Sequence, residues 1–369
     1  MKKKLLIVIA IILAMAMVFG ACNSGNKTPA AEPASEPEST ATEPSDESAE
    51  PVFADKPEVS LLLTQHDPDG SLPGQYCHAW AEMVYQKSYG RIEVLVNNGG
   101  SLAGPTESLD KVKDGSVDLA WGLQSFYSGQ FPMTDGLQLP YLPYTSSTQA
   151  SKVVWDIWEN TDLLKSDTGY EGTKVILIRS NCDAPITTYK KKLESVADLK
   201  GLTIRASVAP MVDWLATFGA TGKGCPITEL FQNLQNGAFD GALTDWHGIY
   251  SFRLYDNCAK YFADEQVQYA TYYFLMNEAK YNSLPDDLKA VIDECSGQAA
   301  LELMLNEWDG MKDKTTAEIT DNGGEVYKLP DQEHAKLVDS AATIREQWAA
   351  SSDARQQLLD KINELVAKY

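Results

Sequence analysis

The sequence predicts an α/β fold built as two lobes with a ligand cleft between them. Three observations support this prediction. The chain has 369 residues, enough for about two domains of ordinary size, each with its own hydrophobic core. Strand-like runs alternate with helix-like runs from residue 58 onward. A unit of helix, glycine and strand, VKDGSVDLAWGL at residues 112–123, recurs as LQNGAFDGALTD at residues 234–245.

Residues 1–21 have the layout of a secretory signal peptide. A lysine head at residues 2–4 precedes an uncharged apolar run from Leu5 to Phe19, which is shorter than the ~20 residues that a membrane-spanning helix needs. We therefore expect an exported protein. The small residues before Cys22 resemble a lipobox, which predicts acylation of Cys22 and an anchor at the outer face of the cell membrane. The alternative is an ordinary signal peptide, an incidental thiol at Cys22 and a periplasmic protein.

Residues 22–57 follow as a segment of different composition. They are rich in Pro, Glu, Ser, Thr and Ala and have almost no large apolar side chains, so they cannot build a core. We expect a disordered acidic tether that keeps the folded part near the membrane and lets it turn.

Charge and cysteine content restrict the partners. The formal net charge of -21 argues against nucleic acid and against charge-driven adhesion to anionic lipid. A small anionic ligand would need local positive charge, which makes single arginines informative. With Cys22 assigned to acylation, the other five of the six cysteines show no C-x-x-C spacing. We expect no metal and no cofactor, and whether one disulfide forms stays open.

The folded part begins at residue 58 with alternating elements that suit parallel strands and right-handed crossovers. Apolar residues of the predicted helices lie three or four apart, as for Trp80 and Val84. One long helix is predicted from Pro285 to the Gly323–Gly324 pair. The predicted strands contain, in chain order, VSLLLTQ, RIEVLVNN, VDLAWGL, KVILIRS, LTIRAS, AFDGALTD and YATYYFLMN.

The repeated unit indicates where a ligand would bind. Gly115 and Gly237 stand where a helix end needs a left-handed residue, and Asp118 and Asp240 open the strands that follow. Ligands of open α/β sheets bind beyond the carboxyl ends of the strands. Residues 121–124 and 244–246 are therefore expected to face one cleft. The alternative is a chance recurrence of a joint that is common in α/β proteins.

Residues 195–256 resemble the signature region of the solute-binding proteins of tripartite ATP-independent (TRAP) transporters. The resemblance rests on DLKGLTIR at 198–205, FGA at 218–220, the helix–strand unit at 229–241 and RLYD at 253–256. It extends to GGSLAGPTESLDKVKDGSVDLA, FPMTDGLQLPYL and MNEAKYNSLPDDLK. It implies a monomeric receptor with a two-lobed, periplasmic-binding-protein-like (type II) fold and a long lobe-spanning helix. We expect lobe I at residues 58–182 and 271–310, and lobe II at residues 183–270 and 311–369.

By motif position, the resemblance makes Arg205 the residue that clamps the carboxylate of an organic acid. A planar guanidinium matches a carboxylate with two parallel hydrogen bonds, each worth ~1.5–3 kcal/mol when charge-assisted. The alternative for a lone Arg at a strand end is a surface ion pair, normally worth ~0–1 kcal/mol.

The chain departs from the family pattern in ways that leave the substrate open. Many members have DGQENP where this chain has DGALTD at residues 240–245 followed by Trp246, and the stretch around Pro185 lacks the second ligand Arg of sialic-acid-type members. One clamp together with Trp246 favours a monocarboxylate with an apolar or aromatic body. Trp246 is equally compatible with a place in the core.

Further candidates for the cleft follow the predicted strands. Each is also compatible with a purely structural role, and His66 beside Asp67 with a hydrogen-bonded surface group. The substrate-binding candidates besides Arg205 and Trp246 are Thr244, Asp245, Gln65, His66, Trp121, Gln124, Tyr127 and Tyr273, with Tyr272 as the alternative to Tyr273.

The resemblance implies an extracytoplasmic receptor that closes on a small organic acid and delivers it to TRAP membrane subunits. The ligand would let the lobes close without burying an unpaired cation. We expect no enzyme: Ala103 breaks the G-x-S-x-G pattern, GATGKGC at 219–225 is not a P-loop, and H-E-x-x-H does not occur. The alternatives are a ligand-sensing surface lipoprotein that partners a signalling receptor and, more remotely, a secreted hydrolase.

Overall fold

The computed structural model describes residues 52–256 and 259–369. The predicted signal peptide, the acylation site Cys22 and most of the predicted tether lie outside the described residues. So does Cys258.

Nine strands of the described residues join in one sheet. They are β1 (Val59–Thr64), β2 (Ile92–Asn97), β3 (Leu119–Leu123), β4 (Thr173–Thr188), β5 (Thr203–Arg205), β6 (Thr221–Lys223), β7 (Gly241–Leu243), β8 (Tyr261–Asn277) and β9 (Glu325–Tyr327). Their order across the sheet is β2-β1-β3-β8-β4-β7-β5-β6, and β9 pairs with β8.

The sheet has two parallel halves joined by an antiparallel centre. The first half, β2-β1-β3, and the second half, β7-β5-β6, are each parallel. Between them run β4 and β8, of 16 and 17 residues, antiparallel to each other. The predicted alternation of strands and helices is confirmed, and a single sheet runs through both halves. Each central strand continues through a polar stretch that gave no apolar signal in the sequence, such as residues 264–268.

The pairing of β4 with β8 is irregular midway along both strands. The register shifts between Ser180 and Asp183 and again between Ala184 and Ile186. On one side of these shifts β8 pairs with β3, and on the other side β4 pairs with β7. The two halves of the sheet are therefore connected through a stretch of bulged backbone, where strands bend most easily.

Helices cover both faces of the sheet. They are α1 (Leu72–Lys87), α2 (Ser108–Lys113), α3 (Ser147–Asn160), α4 (Ala209–Thr217), α5 (Ile227–Gln235), α6 (Trp246–Ser251), α7 (Glu278–Asn282), α8 (Asp286–Glu294), α9 (Gln298–Glu302), α10 (Met311–Asp321), α11 (Asp331–Ala349) and α12 (Asp353–Lys368). Short 3₁₀ segments span Gln124–Phe126, Thr134–Gln138, Thr168–Tyr170 and Val196–Leu199.

Three buried apolar clusters hold these layers together. The first contains Trp80 of α1 and extends to α5, α6 and α8. The second contains Val153 of α3 and side chains of α12, and the third contains Trp214 of α4 and side chains of α11. The second and third clusters lie on different halves of the sheet, which gives each half a core of its own.

The segment predicted as one long helix is helical in three pieces, α8, α9 and α10. The first break includes Gly297, the residue before α9, whose positive φ of 59° favours glycine and does not fit a continuous helix. The segment still crosses the molecule, because α8 contacts α1 in the first half and α10 contacts α6 in the second. The two halves are thus connected by three short helices instead of the single long helix that the sequence predicted.

The C-terminal helices also connect the two halves. Helix α11 packs against α4 at the second half, while α12 packs against α3 at the first half. Trp348 near the end of α11 already belongs to the cluster around α3. Helix α12 thus packs on the first half, and the predicted lobe boundaries, with residues 311–369 in lobe II, stay a prediction.

Two further observations concern the described residues alone. None of their helices combines the length and the apolar character that crossing a bilayer requires. Their free cysteines are Cys77, Cys182, Cys225 and Cys295.

Gly241, the first residue of β7, provides a test of the sheet packing. A Cβ added there would lie 2.2 Å from the backbone oxygen of Thr187 in β4. We expect Gly241→Ala to lower the free energy of unfolding by about 2–3 kcal/mol, since β4 and β7 would have to separate. Urea unfolding measures this change. Gly70→Ala, where no atom lies within 4 Å of the added Cβ, is the matched control and should stay within about 0.5 kcal/mol of the parent. Equal effects of the two substitutions would contradict the strand pairing.

Candidate functional site

A cavity lies where the two halves of the sheet meet. It encloses about 520 Å³ of empty space, part of it open to solvent. Its walls come from the segments after β1, β3, β5 and β7 and from the middle of β4 and β8. The lining residues are His66, Asp67, Leu123, Ser125, Phe126, Gln138, Ala184, Arg205, Ser207, Ile227, Leu243, Thr244, Asp245, Gly248, Phe252, Gln268, Ala270 and Tyr272. Of residues 121–124 and 244–246, which the sequence placed at one cleft, Leu123, Thr244 and Asp245 line this cavity.

Arg205 is the last residue of β5 and reaches the cavity from the second half of the sheet. Pairing of Arg205 with Ala242 of β7 places the guanidinium beside the end of β7. Its Nη1 donates to the carbonyl oxygen of Leu243 at 3.2 Å and lies 3.5 Å from the hydroxyl of Thr244, and its Nε donates to the carbonyl oxygen of Cys225 at 3.3 Å. These three acceptors are neutral, so they orient the guanidinium without neutralising it.

The charge of Arg205 is buried and lacks an ionic partner within the part of the chain that the structure describes. Only 7% of the residue is exposed, and it forms no ion pair with a carboxylate of residues 52–256 or 259–369. Burial lowers the pKa of Arg205, while the nearby Cys225 and Asp245 act in the opposite direction. An uncompensated buried cation is unfavourable. The cavity therefore favours an anion that can reach this guanidinium.

Thr244 and Asp245 line the cavity beside Arg205, and their contact with a ligand stays a prediction. Asp245 also has a structural role, because its Oδ1 accepts a hydrogen bond of 2.9 Å from the backbone N–H of Gly248 and caps α6. The thiol of Cys182 lies 3.6 Å from the same oxygen. Asp245 is thus held in place by its own helix and contributes negative charge to the wall.

The loop after β1 brings His66 and Asp67 to the opposite wall. The side chain of Gln65 holds this loop, since Oε1 accepts from the N–H of Asp67 at 2.6 Å and Nε2 donates to the carbonyl oxygen of Asp67 at 2.6 Å. Gln65 does not line the cavity. Gln65 therefore positions the neighbouring His66 and Asp67, and the structure does not place its side chain against the predicted ligand.

His66 and Asp67 are fully enclosed side chains with altered proton affinity. Burial lowers the pKa of His66 to about 4 and raises the pKa of Asp67 to about 6. The imidazole is consequently neutral near pH 7, with one donor and one acceptor nitrogen. Nearby His247 lowers the pKa of Asp67, and nearby Asp245 raises it. Burial affects the pKa of Asp67 more than either neighbouring charge does.

The two predicted tryptophans lie in the core instead of in the cavity wall. Trp246 is fully buried, and its Nε1 donates to Oδ2 of Asp183 at 3.0 Å. Trp121 is stacked against Tyr272, with 5.2 Å between the ring centroids. Their predicted contact with ligand is not supported, because both indoles point into the packed layer behind the site. Trp121 instead supports the ring of Tyr272, which does line the cavity.

Gln124, Tyr127 and Tyr273 also lie away from this cavity. Gln124 and Tyr127 line an adjoining cavity that shares Ser125 and Ser207 with the first. The hydroxyl of Tyr273 lies 2.8 Å from Oγ of Ser108 on the far face of β8. Successive strand residues point to opposite faces. Tyr272 therefore lines the cavity, whereas Tyr273, which the sequence analysis preferred, points away from it.

Several lining residues were missing from the sequence prediction. Asp67 was considered only as the neighbour of His66, and Gln138 lies in a 3₁₀ segment that has no periodic pattern. Ala184 and Gln268 line the cavity from the irregular middle of β4 and β8. The sequence could have indicated Ala184 and Gln268 only if the full lengths of β4 and β8 had been predicted.

The arrangement is suited to binding an organic anion between two walls. Within the described residues no group of three or more His, Cys, Asp or Glu is placed to hold a metal ion. Arg205 supplies a positive charge, aromatic and aliphatic side chains supply apolar area, and the loop after β1 supplies polar atoms. This composition is typical of a small-molecule site.

Comparison with known families identifies the chain. The model of the family "bacterial extracellular solute-binding protein, family 7" matches residues 64–352. The chain therefore belongs to this family, and it is a solute-binding protein and not an enzyme, as the sequence predicted. An uncharacterized protein of Sinorhizobium fredii is 25% identical over 292 residues, which cover 78% of this chain and 53% of that protein. The chain thus spans about half the length of this curated relative.

Relatives with a stated ligand include the 2,3-diketo-L-gulonate-binding periplasmic protein of Escherichia coli, 23% identical over 248 residues that cover 65% of this chain and 74% of that one. A marine metagenome TRAP solute-binding protein solved with 3-hydroxybenzoate has a TM-score of 0.78 and 27% identity, covering 85% of this chain and 99% of its own. A TRAP solute-binding protein of Rhodoferax ferrireducens solved with benzoate has a TM-score of 0.77 and 25% identity, covering 84% and 98%. The predicted two-lobed periplasmic-binding-protein fold is confirmed.

Asp67 makes the stability of the fold depend on pH. Its folded pKa of about 6 lies above the ordinary value of 3.8, so the folded state holds this proton more tightly and loses stability as pH rises from about 4 to 6. The shift corresponds to about 3 kcal/mol. Asp67→Asn should therefore unfold at higher urea concentration than the parent at about pH 7.5 and nearly together with it at about pH 4.

The matched control for Asp67→Asn is Asp162→Asn, which removes an exposed carboxylate. Its difference from the parent should be the same at both pH values. A stability difference for Asp67→Asn that does not change with pH would show that the carboxyl is not desolvated.

Proposed function

We propose that this family 7 solute-binding protein is the extracytoplasmic receptor of a TRAP transporter and binds a small organic acid through Arg205. The observation that carries the proposal is the buried guanidinium with neutral hydrogen-bond acceptors and no ionic partner among the described residues. A ligand carboxylate would supply the missing charge and form charge-assisted hydrogen bonds. Motif position supports the same assignment.

The walls of the cavity favour an acid with an apolar or aromatic body. Phe126, Ile227 and Phe252 line it together with Tyr272. The binding of benzoate and 3-hydroxybenzoate by the two solved relatives is consistent with this composition. The expected contribution of Trp246 is indirect, because the indole packs behind the wall. We therefore propose a monocarboxylate as ligand and benzoate as a suitable probe.

Ligand exchange in this receptor would proceed by separation and closure of the two walls. Arg205 and Asp67 are 7% and 1% exposed, so a solute cannot reach both side chains unless the walls part. The irregular register of β4 and β8 lies directly between the walls and is the proposed hinge. A bound carboxylate would stabilise the closed state, since it removes the penalty of a buried unpaired cation.

Location and partners follow from the same function. Residues 1–21 support export, and acylation of Cys22 would hold a monomeric receptor at the outer face of the membrane through the tether. From there the closed form would deliver its ligand to the TRAP membrane subunits.

Arg205→Lys tests the carboxylate clamp. Lysine keeps the positive charge but not the planar fork, so we expect the dissociation constant for benzoate to rise about ten- to hundredfold. Isothermal titration calorimetry measures the constant, and thermal unfolding without ligand verifies folding. The matched control is Arg91→Lys, which alters an exposed arginine paired with Glu58 and Asp287 and should leave the constant unchanged.

A thermal-shift panel tests the ligand class. Carboxylic acids should raise the melting temperature of the parent protein because they bind the folded state, and neutral sugars should not. Stabilisation by sugars alone, or a benzoate affinity that survives in Arg205→Lys, would refute the proposed clamp.

Trp246→Phe separates a core role from a ligand contact. Loss of the hydrogen bond to Asp183 should lower the free energy of unfolding by about 1–3 kcal/mol. The dissociation constant for benzoate should change less than about threefold, because the indole does not line the cavity. The opposite pattern, with intact stability and affinity reduced tenfold or more, would place Trp246 against the ligand.

A further inference from the structure

Buried polar atoms without partners gather on the wall opposite Arg205. Both ring nitrogens of His66, Oδ2 of Asp67 and both amide atoms of Gln138 have no hydrogen-bond partner among the described residues. Nε2 of His66 and Oδ2 of Asp67 lie 3.6 Å apart, too far for a hydrogen bond with each other. All three side chains line the same cavity as Arg205, and each is at most 2% exposed. Buried polar groups are normally paired. A bound molecule that pairs with them is therefore favoured over one that presents only apolar atoms.

This wall is built as a fixed surface. Gln65 holds the backbone of Asp67 through two hydrogen bonds. The ring of His66 packs edge-on against Phe126, with 6.1 Å between the ring centroids. Gln138 ends a 3₁₀ segment and is fully buried. Because the loop is anchored on both sides, its polar atoms are already positioned before a ligand binds.

We propose that His66, Asp67 and Gln138 form a second subsite that hydrogen-bonds a hydroxyl group on the organic acid held by Arg205. The inference rests on the proposed function and narrows the ligand to hydroxy acids. The ligand hydroxyl donates to the carboxylate of Asp67 and accepts from His66 or Gln138. One small molecule can reach both, because Arg205 and the three side chains of the second subsite line a single cavity.

A hydroxyl fits these groups better than other polar substituents. Neutral His66 offers one donor and one acceptor, and the carboxamide of Gln138 offers both kinds. A hydroxyl can satisfy a donor and an acceptor at once, whereas an ammonium group only donates. A second carboxylate would be repelled by Asp67 and Asp245, which both line the cavity.

Calorimetric titration of the protein with matched acids tests the inference. The probes are benzoate, 3-hydroxybenzoate, 4-hydroxybenzoate and 3-(aminomethyl)benzoate. At least one hydroxybenzoate should bind about ten- to hundredfold more tightly than benzoate, because benzoate leaves the second subsite unpaired. Asp67→Asn should reduce this preference, measured as the ratio of the two dissociation constants in the same variant, to less than about threefold. The control Asp135→Asn changes a carboxyl of the adjoining cavity and should preserve the preference.

The outcomes separate this inference from the proposed function. Equal affinities for benzoate and both hydroxybenzoates, with all of them weakened in Arg205→Lys, would overturn the hydroxyl subsite and leave the carboxylate receptor standing. Tightest binding of 3-(aminomethyl)benzoate would also overturn it, in favour of an ammonium site at Asp67. Failure of every acid to bind the parent protein would overturn both. The comparison of acids on the parent protein needs no variant, so it holds even where a substitution impairs folding.

Discussion

The uncompensated charge of Arg205 is the constraint on which the cavity depends. A guanidinium that is 7% exposed and bonded to neutral oxygens is tolerated only where an anion or solvent can reach it. The fold meets this requirement by ending β5 and β7 side by side, which directs Arg205 and Thr244 into the gap between the two halves. The proposed closure would meet the same requirement, because the walls can enclose the cation favourably only together with its counter-charge.

The two long central strands explain how one sheet can support both walls of the cavity. Each wall belongs to a parallel half with its own apolar cluster, and β4 and β8 join the halves through backbone with shifted register. Regular antiparallel pairing would couple the halves stiffly, whereas bulges allow bending. The broken helices α8 to α10 and the pair α11 and α12 follow the same course across the molecule. Several connections therefore join the halves, and two of them, the β4–β8 pair and the α8 to α10 segment, are irregular.

The sequence predicted the α/β class, the repeated unit at the cavity and the position of Arg205, because these depend on local patterns and a specific motif. It did not predict the course of β4 and β8, since their polar halves lack a strand signal. Side-chain direction was the second gap. Tyr272 and Tyr273 are adjacent aromatic residues of one strand, and only the pleat decides which of them lines the cavity. The role of Trp246 was ambiguous for a related reason, because a large aromatic side chain fits both a ligand contact and the core position that Trp246 occupies.

The charge balance of the cavity bears on the kind of acid that it accepts. The chain carries a net charge of -21, but charges farther away than about 10 Å are largely screened at physiological salt. The charged and ionisable groups that line the cavity decide the outcome, and these include Arg205, Asp67 and Asp245. The raised pKa of Asp67, to about 6, shows that this wall already resists negative charge. A second carboxylate on the ligand would face that wall without a guanidinium to meet it, so the local charges favour a monocarboxylate whose remaining polar group is neutral.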